Sequence, residues 1–262
     1  MNITPYLNRI YAISRQFGID PRKTFRAIRN LPRFILDLHT FRTQYHDRIS
    51  LYPCLHDWHQ EAGITKSEYF RQDLLVAQII YEKHPKRHID IGSRIDGFVA
   101  HVASFRSIEV LDIRPVNTTL PNIRFKQADI MDPNQSVANQ YDSISCLHAL
   151  EHFGLGRYSD PIDPQGFIRA LANIAQLLAD EGQLYLSVPI GVERVEFNAH
   201  RVFSPTTIVS TASKQYLKLQ TLIIIDNGEI KYYTASEAPL SDIERMHYVL
   251  GIFIFLKDSS QS

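Results

Sequence analysis

The sequence predicts an α/β protein with a doubly wound, mostly parallel, seven-stranded sheet and an N-terminal helical extension. Two observations carry this. Short apolar runs alternate with helical patterns from residue 86 onward, which is the signature of parallel strands joined by crossover helices. The first run, His88-Ile89-Asp90-Ile91, stops at Gly92 and passes through Ser93, Arg94, Ile95, Asp96 and Gly97 into an apolar segment. That order reads as a buried strand, a tight glycine turn and the start of a helix.

The elements follow in order. From Tyr6 to Tyr45 the chain carries Arg9, Arg15, Arg22, Lys23, Arg26, Arg29, Arg33 and Arg42 against Asp20 and Asp37. Phe25, Ile28, Leu31, Phe34, Ile35 and Leu38 recur at helical spacing, predicting two or three amphipathic helices with breaks near Asp20-Pro21 and Leu31-Pro32. They suit either a helical cap on the main domain or a basic face for peripheral contact with an anionic membrane or partner. Tyr52 to Gly63 reads as a loop, with Trp58 between His56 and His59 edging a pocket. Ser67 to His84 reads as a helix with Tyr69, Leu74, Leu75, Gln78 and Ile79 along one side. The division falls into residues 1–66 and 67–262.

Further strands are expected at Ile108–Ile113, Ile123–Ile130, Tyr141–Leu147, Gln183–Pro189, Leu217–Ile225 and Tyr248–Leu256, with a helix over Phe167–Leu178. Lys257 to Ser262 read as a frayed end.

Composition narrows the function. The chain has 262 residues, a formal net charge of +0 and a hydrophobic fraction of 44%. Neutral charge gives no reason to expect a nucleic-acid partner. Two cysteines, Cys54 and Cys146, without a CxxC pair fit a reducing compartment and exclude a disulfide framework. No bilayer-spanning run or cleavable leader is evident, so a cytoplasmic location is expected, with membrane contact only peripheral. Oligomeric state is not legible.

In a sheet of this kind, ligands sit at the carboxyl ends of the strands. Glycine at the first turn lets backbone approach a ligand closely, and the helix start offers unpaired N–H groups. Asp90 would face that ligand from below. Asp112 ends the second strand about twenty residues beyond the turn, where an acid accepts hydrogen bonds from ribose hydroxyls. Asp129 follows the third strand, placed to pair with an adenine amino group.

The order HIDIGS…G, EVLDI, QADI, YDSISCLHALEH and DEGQLYLSVP resembles the class I S-adenosylmethionine-dependent methyltransferases. Within these, DIGSRIDG, ALEHFGLGRYSDPIDP and NAHRVFS resemble the DUF268 family. The likeness covers Lys86 to Ser204. It implies S-adenosylmethionine as cofactor: Asp90, Gly92 and Ser93 would hold its methionine portion beside Gly97 and Leu147, Asp112 its ribose, and Asp129 with Ile130 its adenine. Arg94 departs from the family pattern, standing where a second glycine is common; it would point outward or occupy the carboxylate pocket.

After the fourth strand, Glu151 and His152 match the LEH of ubiquinone-type O-methyltransferases. By that resemblance His148, Glu151 and His152 form a candidate divalent metal site; the alternative is that Glu151 and His152 cap and orient the next loop. HALEH also fits H-x-x-E-H, a zinc-protease pattern, but that chemistry needs a long helix to put both histidines on one face. The loop Phe153–Pro164 offers Arg157, Tyr158 and Asp160 to a substrate. The loop Gly191–Phe203 offers Asn198 and Arg201, with His200 or His152 as general base and Glu151 beside them. DUF268 resemblance implies a polysaccharide context, so a sugar or glycan hydroxyl is the expected acceptor. The alternatives are a non-catalytic methyltransferase-fold scaffold and, third, a dehydrogenase; the latter lacks G-x-G-x-x-G between Gly92 and Gly97.

Overall fold

The structure is a computed structural model and describes residues 4–63, 65, 67–132 and 141–258. The chain divides into two compact units, residues 1–64 and 65–262.

The first unit contains α1 (Thr4–Gln16) and α2 (Pro21–Gln44). Asp20 ends the break between them by accepting hydrogen bonds from the N–H groups of Arg22 and Lys23, each 3.1 Å away, which satisfies two of the open donors at the start of α2. The second expected break is absent: Pro32 lies inside α2, which continues to Gln44. Proline removes one backbone donor, and the flanking turns tolerate it. Trp58 receives the Arg33 guanidinium 4.1 Å from its ring centre.

The second unit begins with α3 (Glu68–Lys83) and β1 (His88–Ile91). A wide turn over Ile95–Val99 leads into the single-turn α4 (Ala100–Ala103). Then come β2 (Ile108–Asp112), β3 (Ile123–Gln127), β4 (Tyr141–Leu147), α5 (Gly166–Leu177), β5 (Leu178–Ile190), β6 (Arg194–Glu196), β7 (His200–Val202), α6 (Pro205–Ser213), β8 (Leu217–Asp226), β9 (Glu229–Thr234), α7 (Leu240–Ile243) and β10 (Val249–Lys257).

The main sheet has eight strands in the order β3-β2-β1-β4-β5-β10-β8-β9. The five from β3 to β5 are parallel, while β10 runs antiparallel to both β5 and β8. The fold class is as expected, with one more strand than foreseen. β9 forms a hairpin with β8 through Asn227-Gly228, both at positive φ. Its alternating exposed polar residues lack the apolar run that identified the other strands.

The main sheet has a core on each face. Along β10, Ile252 and Ile254 join Val76, Ile80, Phe98 and Val102 on the face covered by α3 and α4. Phe253 and Phe255 join Leu171, Ile174, Ile208 and Ala212 on the face covered by α5 and α6. This is the two-residue strand period expressed in three layers.

Three further expectations are corrected. The first concerns α3: its buried residues are Gln72, Asp73, Val76, Ala77 and Ile80, while of the expected apolar side Leu75 and Ile79 pack against the same core and Leu74 is exposed. The segment Gly191–Phe203 is not an open loop but largely the β6–β7 hairpin. Lys257 is not frayed: it ends β10, and its Nζ donates to the carbonyls of Ala175 (2.9 Å) and Leu178 (2.6 Å). Residues 259–262, also expected to fray, lie outside the described residues. Among the described residues no helix is long and apolar enough to cross a membrane.

Candidate functional site

At the carboxyl end of β1, Gly92 adopts φ 73°, a conformation open to glycine at little cost. Its N–H donates to Leu111 (2.9 Å), and a Cβ here would stand 3.0 Å from that of Ala149. Above this turn opens a cavity of about 880 Å³. Gly92, Ser93, Gly97, Asp112 and Leu147 line it, as do Arg94, His148, His152, Arg157 and Tyr158. A narrow recess adjoins it. Asp129 and Ile130 line the recess, together with Gly92, Asp112, His152 and Tyr158, which are common to both compartments.

Asp90 does not face the cavity. It is fully buried and accepts from the Ser93 N–H (2.9 Å), the Ser93 hydroxyl (2.7 Å) and the Ser145 hydroxyl (2.6 Å). Ser145 also meets His88 Nε2 at 3.2 Å, and His88 Nδ1 meets Ser143 at 2.8 Å. Ser93 in turn accepts the Leu147 N–H at 3.2 Å. The acid thus fastens the glycine turn to β4. Burial pushes its carboxyl up to about 7, against the hydroxyl and amide bonds that favour the charge. Burial takes the His88 imidazole down to about 3.

Asp112 does reach the cavity, but Arg114 holds it. The Arg114 Nε lies 3.0 and 3.1 Å from the two carboxylate oxygens, its backbone N–H donates to Oδ1 (2.8 Å), and a second guanidinium nitrogen bonds Oδ2. That same nitrogen bonds the Gly92 carbonyl at 3.0 Å. Arg94 points outward onto Asp96, 2.7 Å away.

Beyond β4, Leu150–His152 form a single 3-10 turn, not the long helix a zinc protease needs. Glu151 is buried, and its Oε1 meets His148 Nδ1 at 2.9 Å. Burial raises the carboxyl, but the His148 hydrogen bond and the charges of His148 and His152 outweigh it and hold the group below its ordinary value. His152 Nδ1 meets the Ala199 carbonyl at 2.7 Å. Its Nε2 lies 3.8 Å from Glu151 Oε1, too far for a hydrogen bond. Burial lowers the His152 pKa, with Glu151 opposing.

These contacts engage one oxygen of Glu151 and one nitrogen each of His148 and His152, and leave Glu151 Oε2 and His148 Nε2 buried without a hydrogen-bond partner. Among the described residues no three His, Cys, Asp or Glu side chains gather as a metal-holding group.

The candidate substrate residues separate. Arg157 and Tyr158 line the cavity. Asp160 borders the recess, but its carboxylate accepts the N–H groups of Gly154 (2.8 Å), Gly156 (3.2 Å) and Tyr158 (3.0 Å), so it shapes the loop from within. Arg201 is buried and donates to the carbonyls of Phe153 (2.6 Å) and Pro164 (3.3 Å), clamping the ends of that loop. Asn198 is exposed in the β6–β7 turn, away from the cavity wall. His200 is also off the wall; its Nε2 faces Glu196 at 3.7 Å.

The sequence reading missed two parts of the wall, the segment 114–120 after β2 and one side of α3. Tyr69, Gln72 and Asp73 of α3 line the cavity. Gln72 Nε2 donates to Asp73 (2.9 Å), and Gln72 takes a bond from Ser187. A Cβ on Gly97 would stand 2.8 Å from the Asp73 carboxylate. Two polar residues on the packing face of a helix were the available signal.

An eight-stranded sheet with this order and a cavity over the first glycine turn is the class I S-adenosylmethionine-dependent methyltransferase fold. Residues 101–212 match the model of DUF268, described as a Caenorhabditis protein of unknown function. A protein assigned as a sarcosine dimethylglycine methyltransferase from Galdieria sulphuraria superposes with TM-score 0.51 at 14% identity, over 72% of this chain and 86% of its own. The 4+2 cyclase SpnF superposes with TM-score 0.51 at 12% identity, over 71% and 81%. The Burkholderia thailandensis 1,6-didemethyltoxoflavin-N1-methyltransferase, with S-adenosylhomocysteine bound, gives TM-score 0.49 at 15% identity, over 92% of both chains. No curated protein sequence matches significantly.

Proposed function

We propose that the protein is an S-adenosylmethionine-dependent methyltransferase acting on a hydroxyl of a sugar or glycan. The observation that carries this is the two-part cavity over Gly92, bordered by Asp112 and continued into the recess at Asp129 and Ile130. Its size suits a ligand of cofactor dimensions together with part of an acceptor. When bound, S-adenosylmethionine supplies an activated methyl group on a sulfonium.

The residues then have distinct tasks. Gly92 and Ser93 give the turn, Asp112 offers its carboxylate to ribose hydroxyls, and the adenine lies toward Asp129 and Ile130, whose recess of about 30 Å³ admits only its edge. His152 takes the acceptor's hydroxyl proton on Nε2. Its Nδ1–H is held by the Ala199 carbonyl, leaving Nε2 with the lone pair. The lowered pKa keeps the ring neutral near pH 7. After proton transfer, Glu151 stands 3.8 Å from the new charge. Tyr158, whose ring lies 5.7 Å from His152, offers a face to a sugar ring.

The test is binding of S-adenosylhomocysteine by calorimetry, followed by transfer of labelled methyl to a panel of glycans and nucleotide sugars. No cofactor binding would remove the reading.

A second reading is a non-catalytic scaffold on this fold. Its support is Arg114, which occupies the carboxylate that ribose needs. A polysaccharide role, a cytoplasmic location and peripheral contact of α1 and α2 with anionic membrane remain part of the proposal. For the last, Arg22, Arg26 and Arg29 alternate with exposed Phe25 and Ile28 along α2. Sedimentation with phosphatidylserine vesicles tests it: pelleting with those and not with phosphatidylcholine vesicles is the expected result.

A further inference from the structure

We infer that the acceptor is an anion, and that Arg157 and Arg114 bind its phosphate or carboxylate group beside Tyr158. This rests on the methyltransferase reading and names its substrate class.

Two guanidinium groups share one aromatic ring at the cavity wall. Arg114 lies 4.7 Å from the Tyr158 ring centre and Arg157 lies 5.2 Å from it. Cations collect on an aromatic face, so the Tyr158 ring holds both guanidinium groups at the wall. Among the described residues Arg157 has no carboxylate partner. Its NH1 donates to the Ala199 carbonyl at 2.7 Å and lies 3.3 Å from His152 Nδ1. The rest of its fork is uncommitted, and such a fork matches the two oxygens of a phosphate or carboxylate.

Charge on the wall completes the argument. Arg94, Arg114 and Arg157 stand against Asp73, Asp96 and Asp112. Arg94 is neutralised by Asp96 and Arg114 by Asp112. The remaining acid, Asp73, takes a hydrogen bond from the neutral Gln72 amide, and burial raises its carboxyl, favouring the uncharged form. Once ribose hydroxyls hydrogen-bond to Asp112, Arg114 shares its counter-charge. The occupied site is then electropositive on the side where Arg114, Arg157 and Tyr158 meet. A neutral sugar leaves that charge unmatched; a nucleotide-linked sugar or a uronate matches it. His152 lines the same chamber, so an acceptor anchored by its anion brings a neighbouring hydroxyl within the base's compartment.

The experiment uses the full chain saturated with S-adenosylhomocysteine, with inorganic pyrophosphate and glucuronate as calorimetric probes. Saturable binding of at least one probe is expected. Arg157→Gln should weaken it at least tenfold and Arg157→Lys less, with S-adenosylhomocysteine affinity unchanged in both. Pyrophosphate alone points to a nucleotide-linked acceptor, and glucuronate alone to a uronate. Normal S-adenosylhomocysteine binding with neither probe bound, or with Arg157→Gln binding as wild type does, overturns the inference and leaves the methyltransferase reading standing. Failure to bind S-adenosylhomocysteine overturns both.

Discussion

Arg114 closes on Asp112 across the ribose position, with its Nε 3.0 Å from one carboxylate oxygen and 3.1 Å from the other. An incoming ribose must therefore exchange hydrogen bonds with a guanidinium rather than with water. Arg114→Leu should tighten S-adenosylhomocysteine binding several-fold by removing the competitor. Asp112→Ala should weaken it by about 1.5–3 kcal/mol, the value of hydrogen bonds to a charged group. Calorimetry on both folded variants checks the pair; unchanged affinity in Asp112→Ala would show that the ribose lies elsewhere.

His152→Ala should lower turnover on a true acceptor by about 10²–10⁴ with cofactor affinity intact. His200→Ala should leave the rate within about twofold, since that ring faces Glu196 away from the cavity. Because burial lowers the His152 pKa from 6.5, the base stays unprotonated to lower pH than free imidazole. The acid limb of kcat/KM should accordingly fall below pH 6.5. A limb above that value would point to a different base.

Asp160 supports three backbone N–H groups of the loop from Gly154 to Tyr158. Asp160→Ala should cost about 1–3 kcal/mol of stability. It should also raise the acceptor KM more than it lowers kcat, because Arg157 and Tyr158 lose their footing. Denaturant melts and steady-state kinetics on one preparation test both effects. A melt like wild type would mean that the loop holds its shape without this carboxylate.

Asp90→Asn should destabilise the protein, since an amide cannot accept from Ser93 and Ser145 as a carboxylate does. It should also expose a pH dependence. His88 titrates at 6.5 in the unfolded chain and about 3 when folded. Between those values the unfolded state holds the extra proton, so His88 makes stability rise with pH. Asp90, at 3.8 unfolded and about 7 folded, makes it fall over nearly the same window, from 3.8 to 7. The two trends oppose each other in the wild type. In Asp90→Asn only the rise remains, measurable as urea midpoints from pH 4 to 6.5. A flat profile in the variant would refute the His88 contribution.

Much of this architecture was legible because strand and helix announce themselves by period. The runs ending at Ile91, Asp112 and Leu147 were read to within a residue or two, since strands buried on both faces are nearly all apolar. β9 escaped because it is an edge strand with polar residues facing solvent. The candidate site was legible where a side chain's task follows from its place on the chain. Gly92, Asp112 and Asp129 stand at strand ends, and the cavity and its recess lie there. It was illegible where the task depends on what a side chain meets in space. Arg201 and Asp160 look like substrate ligands in sequence, yet both serve backbone groups within the loop. Asp73 drew no reading in the sequence; its place in the cavity wall, with its carboxylate against Gly97, depends on how α3 packs. His148 and Glu151 entered the metal reading through a family resemblance, and the pairing of His148 Nδ1 with Glu151 Oε1 shows only in space.

The place of β10 has a consequence for how the chain comes to be assembled. β10 is made after β8 and β9, yet it lies between β5 and β8 and is the strand that joins that hairpin to the rest of the sheet. On a ribosome the hairpin emerges with its apolar edge at Leu222 and Ile224 still unpartnered, waiting for Phe253 and Gly251 to arrive. Cross-chain pairing at such an open edge is a route to aggregation. Stalling or truncation shortly before Val249 would therefore yield a nascent chain whose first five sheet strands are complete and whose hairpin is a ready target for chaperones.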